Sequence, residues 1–211
     1  MPNIVLGVLA SGRGSNFMAI LREIQAGRLP AVVGVVISDR PEANVLKLAA
    51  ENGLPAVCIE RRNFASKDDF EAAIAQTLEE YKVDLVVLAG FMRLLGGKFV
   101  QKYYGRLMNI HPSLLPAFPG VDAQRQAVEY GVKVSGCTVH FVDEGMDTGP
   151  IILQEAVPVK DDDTPESLAE RILAVEHVLY PRAIKLFCEN RLQLVGRHVK
   201  IKAEKRDGNE N

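Results

Sequence analysis

Through the first half of the chain, short and almost continuously apolar runs alternate with longer stretches of helical periodicity. That alternation sets the fold class. Ile4–Ala10, Ala31–Ser38, Ala56–Ile59 and Leu85–Leu88 have the length and composition of parallel strands covered on both faces. Asn16–Ala26, Pro41–Asn52 and Lys67–Tyr81 lie between them with helical length, and Gly53 follows the second as a left-handed cap. The order predicts an α/β fold, an open and mostly parallel sheet with helices on both faces and right-handed crossovers. In the second half, Ser135–Val142 and Ile151–Val159 are longer runs separated by the Asp/Gly-rich Asp143–Pro150, and they predict antiparallel strands added to that sheet. Thr164-Pro165-Glu166 starts a helix with a capping hydroxyl, proline at the first position and an acid in the first turn. The helix is expected to run to about Glu189, with Leu168, Ile172, Val175 and Leu179 on one stripe. Leu192–Val195 and Val199–Ile201 read as a last hairpin. Residues 1–201 are therefore expected to form a single domain, and the charged Lys202–Asn211 a flexible tail.

A chain of 211 residues can bury about 70% of its unfolded surface, so no disulfide or metal staple is needed. The formal net charge of −2 lacks the basic excess that nucleic-acid or membrane-surface binding uses, so neither partner is expected and any phosphate must be caught locally. Cys58, Cys137 and Cys188 are odd in number and far apart. They read as reduced, buried thiols rather than a zinc site or disulfide framework. With no signal-peptide pattern and no apolar run of membrane-spanning length, a cytoplasmic location is expected, as monomer or homodimer.

Candidate chemistry gathers in Asn109-Ile110-His111-Pro112-Ser113-Leu114-Leu115-Pro116 and in Met146-Asp147-Thr148-Gly149-Pro150. If Met108 to His111 ends a strand, Asn109 and His111 share a face, and Pro112 supports extended geometry before it. An amide that can donate to an oxyanion, a histidine that can move a proton and a carboxylate that sets its charge suit acyl transfer. Near the start, Ile4–Ala10 leads into Ser11-Gly12-Arg13-Gly14-Ser15-Asn16 and then a helix, where glycines and free amides can seat a phosphate. It is neither a dinucleotide fingerprint, since Phe17 stands where the third glycine belongs, nor a Walker loop. A phosphoribosyl group fits it better than a pyrophosphate. Asp39 reads as an ordinary surface acid. His140 reads as a supporting or a merely satisfied histidine, and His177 and His198 as structural or exposed. Asp161-Asp162-Asp163 reads as a helix-dipole partner rather than a metal site. Phe91-Met92-Arg93-Leu94-Leu95 follows a strand and reads as the wall of a pocket for a flat ligand.

Taken together, Ser11–Asn16, Leu88-Ala89-Gly90-Phe91-Met92-Arg93, Asn109–Pro116, Gly136–Val142 and Asp147-Thr148-Gly149-Pro150 resemble the folate-dependent phosphoribosylglycinamide formyltransferases. The resemblance spans nearly the whole chain. It implies a Rossmann-like sheet and transfer of a formyl group from 10-formyltetrahydrofolate to the amine of glycinamide ribonucleotide, with no metal and these two small molecules as partners. It places the catalytic set on Asn109, His111 and Asp147, and phosphoribosyl binding on Gly14, Ser15, Asn16 and Glu176. Folate binding falls on Lys67, Met92, Arg93, Leu94 and Leu95, on Asn109, and on Val142, Asp143 and Glu144. Two departures stand out: Asp122 occupies a position where some members have histidine, and Leu173 one where some have lysine. The alternatives are formyltetrahydrofolate hydrolase, expected to carry an extra N-terminal domain, and methionyl-tRNA formyltransferase, expected to carry an extra C-terminal one. A non-catalytic phosphoribosyl binder is the rival of another kind.

Overall fold

A computed structural model describes residues 3–203. Its centre is a seven-stranded sheet of order β3-β2-β1-β4-β5-β6-β7. The strands are β1 (Ile4–Leu9), β2 (Ala31–Ser38), β3 (Ala56–Cys58), β4 (Leu85–Leu88), β5 (Leu107–His111), β6 (Val134–Phe141) and β7 (Ile151–Pro158). β1 to β5 pair parallel, and β6 and β7 add antiparallel to β5 and to each other. The expected mixture of parallel and antiparallel strands is thus present. A separate hairpin, β8 (Leu192–Val195) with β9 (His198–Ile201), closes the chain. Lys202, assigned to the tail from sequence, still donates its N–H to the Arg191 carbonyl, and its own carbonyl accepts from Arg191 Nε; positions 204–211 of that segment lie outside the described residues.

The helices are α1 (Ser15–Gln25), α2 (Asn44–Glu51), α3 (Lys67–Glu80), α4 (Gly97–Lys102), α5 (Ala123–Tyr130) and α6 (Pro165–Cys188). Strand alternation divides their cores. Leu6, Leu85, Val87, Met108 and Ile110 pack with residues of α1, α5 and α6, whereas Leu9, Val86, Leu88 and Leu107 pack with α3 and α4. Fully burying each such aliphatic side chain is worth about 1.5–3 kcal/mol, and β4 is buried at every position. Asn109 and His111 have the parity of Leu107, so they lie on the α3–α4 face. α2 begins three residues later than its periodicity predicts, because Arg40–Ala43 closes a turn instead. α4 and α5 were not expected at all: the first opens on two glycines and the second is largely polar. α6 starts as read, with Thr164 accepting from Ser167 N and the Ser167 hydroxyl returning the favour at Thr164 N.

Tyr180 of α6 is fully buried, and its hydroxyl lies 3.0 Å from the carbonyl oxygens of both Leu88 and Met108. It joins α6 to the ends of the two strands that lead into the candidate site. Burial, and after it the nearby Glu176 carboxylate, drives its phenol well above the ordinary value, so it stays a donor. Tyr180→Phe is expected to cost about 1–3 kcal/mol by leaving buried carbonyls without this donor, read as a lower denaturant midpoint at an unchanged slope.

Candidate active site

The parallel strands change direction of winding around β1, with β2 and β3 on one side and β4 and β5 on the other. Loops leaving the carboxyl ends of β1 and β4 therefore diverge and leave a crevice, the usual ligand position in an open α/β sheet. The register sets Leu9 beside Leu88 and Leu88 beside Asn109, so the Ser11–Asn16 loop, the 89–96 segment and the end of β5 share one edge.

Two neighbouring strands furnish the polar face. Asn109 pairs opposite His140 and His111 opposite Thr138. Asn109 is half-buried and the other three are buried. His111 Nε2 lies 2.8 Å from the Phe118 carbonyl oxygen, so this nitrogen is the N–H donor there. Its other nitrogen, Nδ1, lies 3.3 Å from Asp147 Oδ2. Both ring nitrogens thus face acceptors, an arrangement in which each N–H of a protonated ring is satisfied. Asp147 comes from the β6–β7 loop and has φ of 54°, a left-handed conformation that Asp tolerates better than most residues. The Gly120 N–H holds its Oδ2 at 2.8 Å.

The β6–β7 loop leaves the sheet beside Leu107, where Val142 N donates to that carbonyl. To put Asp147 beside His111 it must double back along β5. Gly149 permits this, since a Cβ there would stand 1.7 Å from the Phe141 carbonyl oxygen. Asp143 accepts from Gly145 N and from the Thr148 hydroxyl, and Glu144 accepts from Gln101 on α4. Asp143 and Glu144 therefore shape the loop with their side chains, and Val142 packs into the α3–α4 core.

His140 has a defined role. Its Nδ1 lies 2.9 Å from the Phe141 carbonyl oxygen and must carry the proton, which leaves Nε2 to accept from Asn109 Nδ2 at 3.3 Å. Burial lowers its basicity and outweighs the nearby Asp147 carboxylate, 3.8 Å away, so the ring stays neutral. One Asn109 N–H is thereby committed, which fixes the amide's orientation and leaves its second N–H free to donate. The loop after His111 is clamped as well: Thr138 Oγ1 donates to Ser113 O and accepts from Leu115 N and Gln154 Nε2.

At the glycine-rich turn, Gly14 sits at φ 80° immediately before α1, a conformation that favours glycine, and Ser15 is the first helical residue. Asn16 is buried and donates to Glu176 Oε2 at 2.8 Å, across from α6. Its own Oδ1 is buried without a partner among the described residues. Glu176 is raised by burial, against the lowering effect of that hydrogen bond.

Beside the 89–96 segment is a cavity of about 380 Å³. Arg61, Lys67 and Arg93 bring positive charge to it against the single acid Glu71, and Phe70, Met92 and Leu94 bring apolar surface. Leu95, expected in the same wall, instead turns into the core with Phe70, Ile74 and Phe99, because its neighbours leave it under α3. Asp39 is not the surface acid its sequence context predicts. Its side chain is 2% exposed and held by Ser11 and Arg93. Cys58 likewise departs from expectation: it is exposed at the end of an edge strand, whereas burial pushes the Cys137 and Cys188 thiols up to about 12. His198 is exposed, and His177 Nε2 is buried without a partner. Among the described residues, no group of three or more His, Cys, Asp or Glu side chains is placed to hold a metal ion.

A profile of the formyl transferase family matches residues 4–184. The chain is 47% identical over 178 residues to the phosphoribosylglycinamide formyltransferase of Bacillus subtilis (strain 168), a match that covers 84% of this chain and 91% of that protein. It is 46% identical over 189 residues to the Homo sapiens trifunctional purine biosynthetic protein adenosine-3, covering 90% of this chain and 19% of that longer protein. The crystal structure of glycinamide ribonucleotide transformylase 1 from Symbiobacterium toebii superposes with a TM-score of 0.94 at 54% identity, over 95% of each chain.

Because burial raises the Glu176 carboxyl in the folded state, folding stability falls as pH climbs from the ordinary carboxylate range through the raised one. Glu176→Gln keeps an oxygen for Asn16 but removes the buried charge. Its unfolding midpoint should exceed the parent's near about pH 7, with the difference closing near about pH 4, in parallel thermal melts.

Proposed function

The chain belongs to the formyl transferase family, and from that premise we infer that it transfers a formyl group to the amine of glycinamide ribonucleotide, a step of purine biosynthesis. The observation that carries the mechanism is the meeting of Asn109, His111 and Asp147 at one strand end, with both imidazole nitrogens committed. The family's co-substrate is a formyl-folate, which we take to be 10-formyltetrahydrofolate supplying an activated formyl group. The cavity between Met92, Leu94 and Phe70 fits a flat ring system, and Arg61, Lys67 and Arg93 fit its anionic tail. The phosphoribosyl group is assigned to the turn at Gly14, Ser15 and Asn16, where free amides meet a helix N-terminus, with Glu176 and Asn16 reading its hydroxyls or phosphate.

In this reading the free N–H of Asn109 donates to the formyl oxygen as negative charge develops there. The Nδ1–H of His111, which faces Asp147 Oδ2 at 3.3 Å, is shared with the formyl oxygen as charge develops and then passes to the departing folate nitrogen. Asp147 accepts the proton lost by the attacking amine, directly or through water, so one proton leaves the amine and one reaches the leaving nitrogen. The Phe118 carbonyl keeps the ring from turning, and His140 keeps the Asn109 amide from flipping. Lys67, half-exposed and 3.7 Å from Glu71 Oε1, lines the cavity from the start of α3 and is the cation we assign to the tail.

A spectrophotometric assay with 10-formyltetrahydrofolate and either glycinamide ribonucleotide or water alone as acceptor tests this. Turnover that needs the nucleotide supports the transferase reading, and equal turnover in water would establish a hydrolase instead. Asn109→Ala should lower kcat by roughly 10²–10³ if the amide stabilises the oxyanion, and normal turnover would remove it from the mechanism.

A further inference from the structure

The segment between Gly90 and Gly96 has no regular structure, and much of it faces solvent: Met92 is 68% exposed and Leu94 55%. It is held by a few identifiable tethers. Gly90 O accepts from Ser11 N, Met92 N donates to Ser11 Oγ, Arg93 Nε donates to Asp39 Oδ2, and Gly96 N donates to Glu71. The first three run to the start of the glycine-rich turn or to the residue just after β2. Asp39 is the node between them. Its Oδ1 accepts from the Ser11 hydroxyl at 2.6 Å while its Oδ2 accepts from Arg93 at 2.5 Å.

This arrangement needs a carboxylate. The Ser11 hydroxyl already accepts from Met92 N, so its proton must find an acceptor, and the Arg93 Nε–H needs another. Only a group with two acceptor oxygens serves both. A buried carboxylate is costly unless paired, and Arg93 is its pair. With Nε engaged, the Arg93 guanidinium lies 5.7 Å from the Phe70 ring centre, and Arg93 is among the residues that line the cavity.

We propose that Asp39 is a positioning residue that ties the phosphate turn to the folate-side segment, so that filling either substrate site raises affinity at the other. The proposal rests on the assignment above of the Ser11–Asn16 turn to the phosphoribosyl group and of the 90–96 segment to the folate. A ligand in the turn immobilises Ser11, and through Asp39 it immobilises Met92 and Arg93. A ligand beside Arg93 orders the same node from the other side. Whichever binds second meets a segment already ordered, which is positive coupling carried by lost freedom rather than by a displaced domain.

Calorimetric titration of glycinamide ribonucleotide with and without saturating tetrahydrofolate, which has no formyl group to give, measures the coupling in the absence of turnover. Each ligand is expected to tighten the other by about 5–50-fold in the parent. In Asp39→Asn the amide offers one acceptor and turns its N–H groups on a second donor, and the enhancement should fall to within about twofold of none. Ser11→Ala breaks the other arm with the smallest possible change and should do the same, with circular dichroism confirming the fold. A merely structural role would weaken both single-ligand affinities and leave their ratio intact. A parent whose ligands bind independently overturns the proposal, as does an Asp39→Asn protein that keeps the full enhancement. If formyl transfer occurs but the ratio is one, only the coupling fails. If neither ligand binds the parent, the assignment of the two sites fails and the proposal goes with it.

Discussion

Because β6 runs antiparallel to β5 in one particular register, two strands deliver Asn109, His111, Thr138 and His140 to a single face, and the remainder of the site is built against that face. A slip of one residue would turn Thr138 and His140 into the α6 core and bring Val139 to the face that carries Asn109 and His111. The same pairing fixes where the β6–β7 loop begins, beside Leu107, and so the distance it must retrace to bring Asp147 to His111. Gly149, which admits no side chain against the Phe141 carbonyl, and Asp143, which closes the loop on itself, set the return path. The parallel part of the sheet supplies the crevice, and the β5–β6 pair at its margin supplies the polar face.

Several polar groups are buried around this edge, and each has a compensation suited to its charge. His140 is neutral, spends its one N–H on a backbone carbonyl and its one lone pair on Asn109. Asp39 is met by a guanidinium and a hydroxyl. Among the described residues Glu176 is met only by the Asn16 amide, so burial raises it, and the Asn16 carbonyl oxygen beside it has no partner there. An incompletely satisfied pair costs stability unless something else completes it, and the crevice side of α1 is where a sugar-phosphate would do so. Strain of this kind concentrates at sites that are finished by ligand.

Much of this was legible from residues alone. The four apolar runs, the Pro165 helix start and the Asn109–His111 spacing depend on local periodicity and proline geometry, and they read correctly for that reason. The short helices α4 and α5 did not, because tertiary contact rather than propensity supports them. Leu95 was read as part of a ligand wall since it follows Leu94, yet one residue of rotation puts it into the α3 core. Asp39 was read as surface because nothing local marks the Arg93 guanidinium 54 positions away. His140 could be placed on the Thr138 face from alternation, but its partner could not be named. That required the β5–β6 register, which no single strand encodes.

The two histidines show why the register matters to the chemistry. They lie near one carboxylate, Asp147, at 3.3 and 3.8 Å, and two protonated rings there would compete for it. Burial removes His140 from that competition, and its Phe141 hydrogen bond then dictates which nitrogen keeps the proton. The lone pair left over can only accept, so it selects the nitrogen end of the Asn109 amide and turns a side chain that could equally present oxygen into a donor. His111 has the opposite surroundings, an acceptor at each nitrogen, and so is the ring suited to carry and release a proton. One histidine sets an orientation, and in the proposed mechanism the other moves charge. The difference arises from which partner each ring nitrogen meets.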